Sequence, residues 1–125
     1  MKAITVEWFE IPVSDMERAM SFYERVFGIK LSHQKLGVLD MAWFPFNDAS
    51  GGAGGTLVKH DDFYAPSTSG TLVYFSSENL AKELLRVESA GGRVLIPKTQ
   101  ISPEIGYMAV FIDSEGNRLA LHSKK

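Results

Sequence analysis

The two halves of this chain repeat each other at a separation of 64 positions, as from Glu24 to Glu88. In that register Glu7-Trp8-Phe9-Glu10-Ile11 falls on Thr71-Leu72-Val73-Tyr74-Phe75, Gly28 meets Gly92 and Leu31 meets Leu95, without a gap. Few of the paired residues are identical. What repeats is an order: strand, helix, glycine stop, then further strands. A period of about half the chain exceeds the ~20–50 residues of a solenoid unit. It implies a duplicated supersecondary module whose two copies build one domain and whose seam forms a site.

Composition narrows the alternatives. The 125 residues suit a single domain, large enough to bury a core without staples. No basic run or basic–aromatic stripe favours nucleic acid as a partner. With no cysteine in the chain, disulfides, thiolate catalysis and cysteine metal sites are excluded. No signal-peptide pattern precedes the first strand-like segment and no apolar run reaches membrane-spanning length, so no membrane partner and a cytoplasmic location are expected.

Along the chain, residues 4–13 alternate as a strand, and Ser14-Asp15 supplies an N-cap. In Met16–Phe27 the apolar residues Met16, Ala19, Met20, Tyr23, Val26 and Phe27 recur at helical spacing, and Gly28 closes the helix. Strands are expected at Ile29–Lys35, Leu39–Phe46 and Gly55–His60. The glycine-rich stretch Asn47–Gly54 lacks the lysine and hydroxyl residue of a phosphate loop. Residues 61–70 read as a linker. The second copy follows with a strand at Thr71–Ser76 and a helix at Asn79–Ala90, its apolar face drawn from Leu80, Leu84, Leu85 and Val87. Gly91-Gly92 stops it, and strands follow at Arg93–Pro97, Gly106–Ile112 and Arg118–Ser123, the last two joined by a tight turn at Asp113–Asn117. The architecture is βαβββ twice: module 1 over 3–60, linker 61–70, module 2 over 71–123, in one domain spanning 1–125.

The run Glu10-Ile11-Pro12-Val13-Ser14-Asp15-Met16-Glu17-Arg18-Ala19, followed by Phe22-Tyr23-Glu24-Arg25-Val26-Phe27-Gly28, resembles the opening of vicinal-oxygen-chelate proteins, the glyoxalase, bleomycin-resistance and extradiol-dioxygenase superfamily. Ala90-Gly91-Gly92-Arg93-Val94 and Asp113-Ser114-Glu115-Gly116-Asn117 match its second-half signatures, so the resemblance covers essentially the whole chain. It implies an α+β fold in which tandem βαβββ modules form one curled, open mixed sheet with helices on its outer face and a cleft inside. Members that use a divalent metal place ligands, usually His, Glu or Gln, on the first and last strands of each module. Carried onto this chain, those positions are Trp8, Leu72, Ala120, and either Thr56 or Leu57. Trp, Leu and Ala offer no donor to a hard cation, so the resemblance implies a divergent member with no metal site and no cofactor.

Strand alternation sorts the remaining side chains. The face carrying the former ligand positions lines the cleft: Trp8 and Glu10, Leu72 and Tyr74, and Arg118, Ala120 and His122. The same parity applied to the third strands adds Met41, Trp43, Tyr107 and Phe111. The expected cavity is aromatic with a few polar groups, as in a small-molecule pocket, although aromatics at sheet positions are ordinarily packing residues. Glu10 is the one candidate catalytic residue, since a carboxylate among apolar neighbours can serve as general acid or base. Against that stands a solvated rim carboxylate, or one paired with Lys59 or Arg118. His33 and His60 form no metal-ligand spacing.

Three functions follow. The first is metal-independent binding of a small aromatic or amphipathic ligand between the modules. The second is a metal-free isomerase or lyase acting on a carbonyl compound through Glu10, which requires Glu10 to be buried. The third is a dimerisation or partner-binding module without a ligand. A homodimer fits all three.

Overall fold

The computed structural model describes residues 2–125, and within them the order strand, helix, three strands occurs twice. The first half comprises β1 (Trp8–Pro12), α1 (Met16–Phe27), β2 (Ser32–Leu36), β3 (Leu39–Trp43) and β4 (Gly54–Lys59). The second comprises β5 (Tyr74–Ser76), α2 (Ala81–Val87), β6 (Arg93–Ser102), β7 (Gly106–Ile112) and β8 (Arg118–Ser123). Each half forms a four-stranded mixed sheet, ordered β1-β4-β3-β2 and β5-β8-β7-β6, with the outermost pair parallel at β1/β4 and β5/β8. The curled, open α+β arrangement is thus built from two sheets with no ladder between β1 and β5. Among the described residues no helix is long and apolar enough to cross a membrane.

Local chemistry accounts for the elements. Asp15 caps α1 by accepting the Arg18 amide at 3.0 Å, and Gly28 ends it at φ +66°, a conformation costly for residues with a Cβ. The apolar stripe of α1 buries Ala19, Phe22, Tyr23 and Val26 completely against Leu57, Phe111 and Leu121 of the two sheets. At the junction of the halves, Phe9 and Phe75 meet edge to face at 5.7 Å. Tyr23, whose hydroxyl burial and then the Asp113 carboxylate keep protonated far above the usual pH, donates to Asp113 Oδ2 at 2.6 Å.

A second junction is polar. Glu115, in the turn before β8, accepts the backbone amides of Ser14 and Asp15 at 2.9 and 2.8 Å and the Arg18 guanidinium at 2.7 Å. The turn expected at Asp113–Asn117 is therefore present and also secures the entry of α1 in the other half. Burial alone pushes the Glu115 carboxyl up. The Arg18 bond, the two amides and the Ser114 hydroxyl outweigh it and hold the carboxyl at about 2.

Several elements differ in extent from the sequence expectation. Strands β1 and β5 are shorter because Ile4, Val6 and Thr71 find no partner strand and stay exposed. Helix α2 is shorter too. Its buried face runs Leu80, Glu83, Leu84, Val87, an i, i+3, i+4, i+7 series, which rotates Leu85 outward to 85 % exposure. Glu83 takes the inward place, accepting the Ser77 hydroxyl at 2.5 Å. Strand β6 runs past Pro97 because it is an edge strand with register shifts, where a missing N–H costs no ladder bond.

Candidate functional site

A cavity of about 800 Å³ opens along the seam where β1 and β5 face each other. Its walls include Trp8 and Glu10 from β1, Leu72 and Tyr74 at β5 and Arg118 at the start of β8, with the 51–53 and 65–71 segments contributing backbone and small side chains. Two adjacent glycines of β4 make room for the aromatic wall. A Cβ on Gly54 would stand 3.3 Å from the Trp8 indole, and one on Gly55 would overlap the Phe9 ring at 2.5 Å. The Trp8 ring, 40 % exposed, packs on Trp43 with centroids 5.0 Å apart and planes tilted by 60°.

Of the residues expected at the cleft, Trp8, Glu10, Leu72 and Tyr74 line this cavity, and Trp43 backs the Trp8 indole. Met41 and Ala120 are buried and do not line it. His122 is also absent from the lining, and its Nε2 lies 2.8 Å from the Ile105 carbonyl.

Tyr107 and Phe111 are not cleft residues. Phe111 is fully buried beneath the helices, 6.1 Å from Phe22, and Tyr107 packs against the same core with Lys98 Nζ 4.7 Å from its ring centroid. The cause is register. Glu10 and Trp43 both align with Thr56, and Tyr74 and Val110 both align with Ala120. First and last strands therefore correspond at 64 positions, but third strands correspond at 67, from Trp43 to Val110. A slip of three residues is odd, so it exchanges the faces of β7. Val110, not Tyr107 or Phe111, is the counterpart of Trp43.

Glu10 is exposed and accepts a 2.6 Å hydrogen bond from the Tyr64 hydroxyl. The hydrogen bond, then burial and the Glu10 charge, raise the Tyr64 hydroxyl above its ordinary titration range, which keeps it a donor. The burial required of a proton-shuttling Glu10 is absent, and neither expected ion pair forms. Lys59 Nζ instead lies 3.0 Å from Asp61. Arg118 Nε is shielded from solvent without a hydrogen-bond partner, and Nη2 makes one long contact, 3.4 Å, to the Gly70 carbonyl.

Of the four metal-ligand positions that the resemblance implies, the one on β4 falls at Thr56 rather than Leu57, since Thr56 aligns with Glu10 as Ala120 does with Tyr74. The four positions thus hold Trp8, Thr56, Leu72 and Ala120. A single neutral hydroxyl among three side chains without donors does not fit a divalent cation. Among the described residues no three His, Asp or Glu side chains cluster closely enough to hold one. His33 pairs with Asp40 at 2.5 Å, and His60 stacks on Phe63.

Tyr64, which donates to Glu10, is a polar group at this site that sequence reasoning did not assign to it. Tyr64 lies in the linker, where no periodicity encodes the path of the chain. Arg118 shares the cleft parity of Ala120 and His122, and it lines the cavity as that parity implies.

Paired βαβββ halves with a cleft along their seam define a class of protein, and the comparisons agree. A sequence model of the Glyoxalase/Bleomycin resistance protein/Dioxygenase superfamily matches residues 5–121, and the chain belongs to that family. A glyoxylase-like domain-containing protein of Didymella fabae is 27 % identical over 119 residues, covering 93 % of this chain and 91 % of its own. Among solved structures, TnmS3, an antibiotic binding protein from Streptomyces sp. CB03234, matches with a TM-score of 0.71 at 24 % identity, over 100 % of this chain and 99 % of that one. Glyoxalase I from Zea mays matches with a TM-score of 0.69 at 20 % identity over 98 % of this chain. This chain spans about half of the maize chain, 48 % of its length.

Proposed function

We propose that this protein binds a small, flat aromatic or amphipathic molecule in the seam cavity, without a metal ion. The observation that carries the reading is the cavity itself. Its volume of about 800 Å³ falls in the range of small-molecule sites, roughly 300–1,000 Å³. Its lining combines the exposed faces of Trp8 and Tyr74 with two polar anchors, Glu10 and Arg118, which is the pattern of an apolar pocket with few orienting groups. The likeness in fold to an antibiotic binding protein supports a binding role and names no ligand for this chain.

The donor set at the four positions that the resemblance implies supports metal independence. The test is differential scanning of chelator-treated protein against a panel of flat aromatic metabolites, since a ligand that binds only the folded state raises its melting temperature. At least one member of the panel is expected to do so, with the same shift whether or not the protein was chelated. A shift that vanishes on chelation and returns with added metal would contradict metal independence.

A second copy of the chain is the protein partner of this reading. Strand β6 is a sheet edge carrying exposed Leu95, Ile96 and Ile101, and Ile105 stands exposed just beyond it. Sedimentation at micromolar concentration is expected to give a dimer, and a monomer would remove this partner.

A further inference from the structure

Resting on the reading of the seam cavity as a ligand site, we propose that Arg118 anchors an acidic group, so that the molecule taken is a flat aromatic carboxylic acid. A guanidinium carries five N–H donors in a planar fork, and buried charges in folded proteins are paired. Arg118 is only partly buried, and it finds no such partner within the chain. Its Nε is buried and unpartnered, and its recorded side-chain contact is the 3.4 Å one to Gly70. Among the described residues no carboxylate lies within salt-bridge distance of it. Glu10, the acidic residue of the same cavity, is engaged by Tyr64.

This cation and an aromatic surface line the same cavity, one from each half. At the repeat offset, Arg118 occupies in the second half the position that Gly54 holds in the first. Gly54 aligns with Trp8, whose indole fills the space a side chain there would take. One side of the seam therefore presents an indole face, and the matched position on the other presents an unpaired guanidinium. A planar acid satisfies both at once: its ring lies on Trp8 while its carboxylate accepts two parallel N–H bonds from the fork. A neutral ligand of the same shape would satisfy Trp8 and leave the guanidinium charge without a counter-charge.

Calorimetric titration with naphthoate and naphthamide, which share a ring system and nearly a shape, tests the assignment. Wild-type protein is expected to bind naphthoate at least about tenfold more tightly than naphthamide. In Arg118→Gln the preference should disappear, with naphthoate affinity falling to that of naphthamide in the same variant, and Arg118→Lys, which keeps the charge and loses the fork, should fall between. Equal affinity of wild-type protein for both compounds would overturn the role of Arg118 and leave the cavity standing as a ligand site. Binding of neither would overturn both. A preference that survives in folded Arg118→Gln would place the anion elsewhere and also overturn the proposal. The wild-type comparison decides the matter even if a variant fails to fold.

Discussion

Tyr64 donates its hydroxyl proton to Glu10 across 2.6 Å, tying the segment between the two halves to the first strand of the cavity wall. That one bond sets the position of both polar groups. Tyr64→Phe removes it without changing the ring. Because Glu10 is exposed, the loss in unfolding free energy should be small, about 1 kcal/mol or less in urea titrations. Limited proteolysis within residues 60–70 should accelerate by more than that global change accounts for, since the released linker opens locally.

Acid stability reports on the other junction. Glu115 titrates at about 2 when folded and near 4.5 when unfolded. A depressed folded value means that the stabilisation is fully present above about pH 4.5 and is lost as the pH falls toward 2. Glu115→Gln should cost about 2 kcal/mol at pH 7, less than the full shift implies because Arg18 is half exposed and screened. Below pH 2 wild type and variant should converge. Chemical denaturation across pH 2–7 measures the convergence.

Gly54→Val addresses the cavity rather than the core. The added side chain would meet Phe46 at 3.2 Å and the Trp8 indole at 3.3 Å, so Trp8 must turn toward the seam. Ligand affinity should fall by about tenfold or more, while the melting temperature changes little because Trp8 is a partly exposed ring. Titration and thermal scanning of the same preparation separate the two effects.

Phe111→Ala should behave in the opposite way. Removing a fully buried ring from between Phe22 and the sheet should cost about 3–5 kcal/mol in stability, and ligand affinity under native conditions should stay near that of wild type. Loss of affinity without loss of stability would return Phe111 to the cleft.

The contrast between Gly54 and Phe111 shows what could be read from residues alone. The repeat and the periodicity within it located both helices and all eight strands, because patterning and caps act locally. It misplaced Tyr107 and Phe111 because hairpins of unequal length shift β7 by three residues relative to β3, and an offset carried rigidly along the chain cannot register that. Leu85 was misjudged by one step around α2, and β6 was cut short at Pro97 because an edge strand tolerates what a central one does not. Tyr64 was missed for a different reason: loop paths are set by tertiary packing, and here by contacts such as Tyr64 to Glu10 and the Ser67 amide to Asn117 Oδ1.

The most direct test of ligand binding at the seam uses the two tryptophans of the chain, Trp8 in the cavity wall and Trp43 packed behind it with ring centroids 5.0 Å apart. Chelator-treated wild-type protein is titrated with an aromatic acid such as naphthoate while tryptophan emission is followed. Saturable quenching is expected, with affinity lost in Trp8→Ala and weakened in Trp43→Ala. Unchanged affinity in both variants, measured independently by calorimetry, would contradict the account.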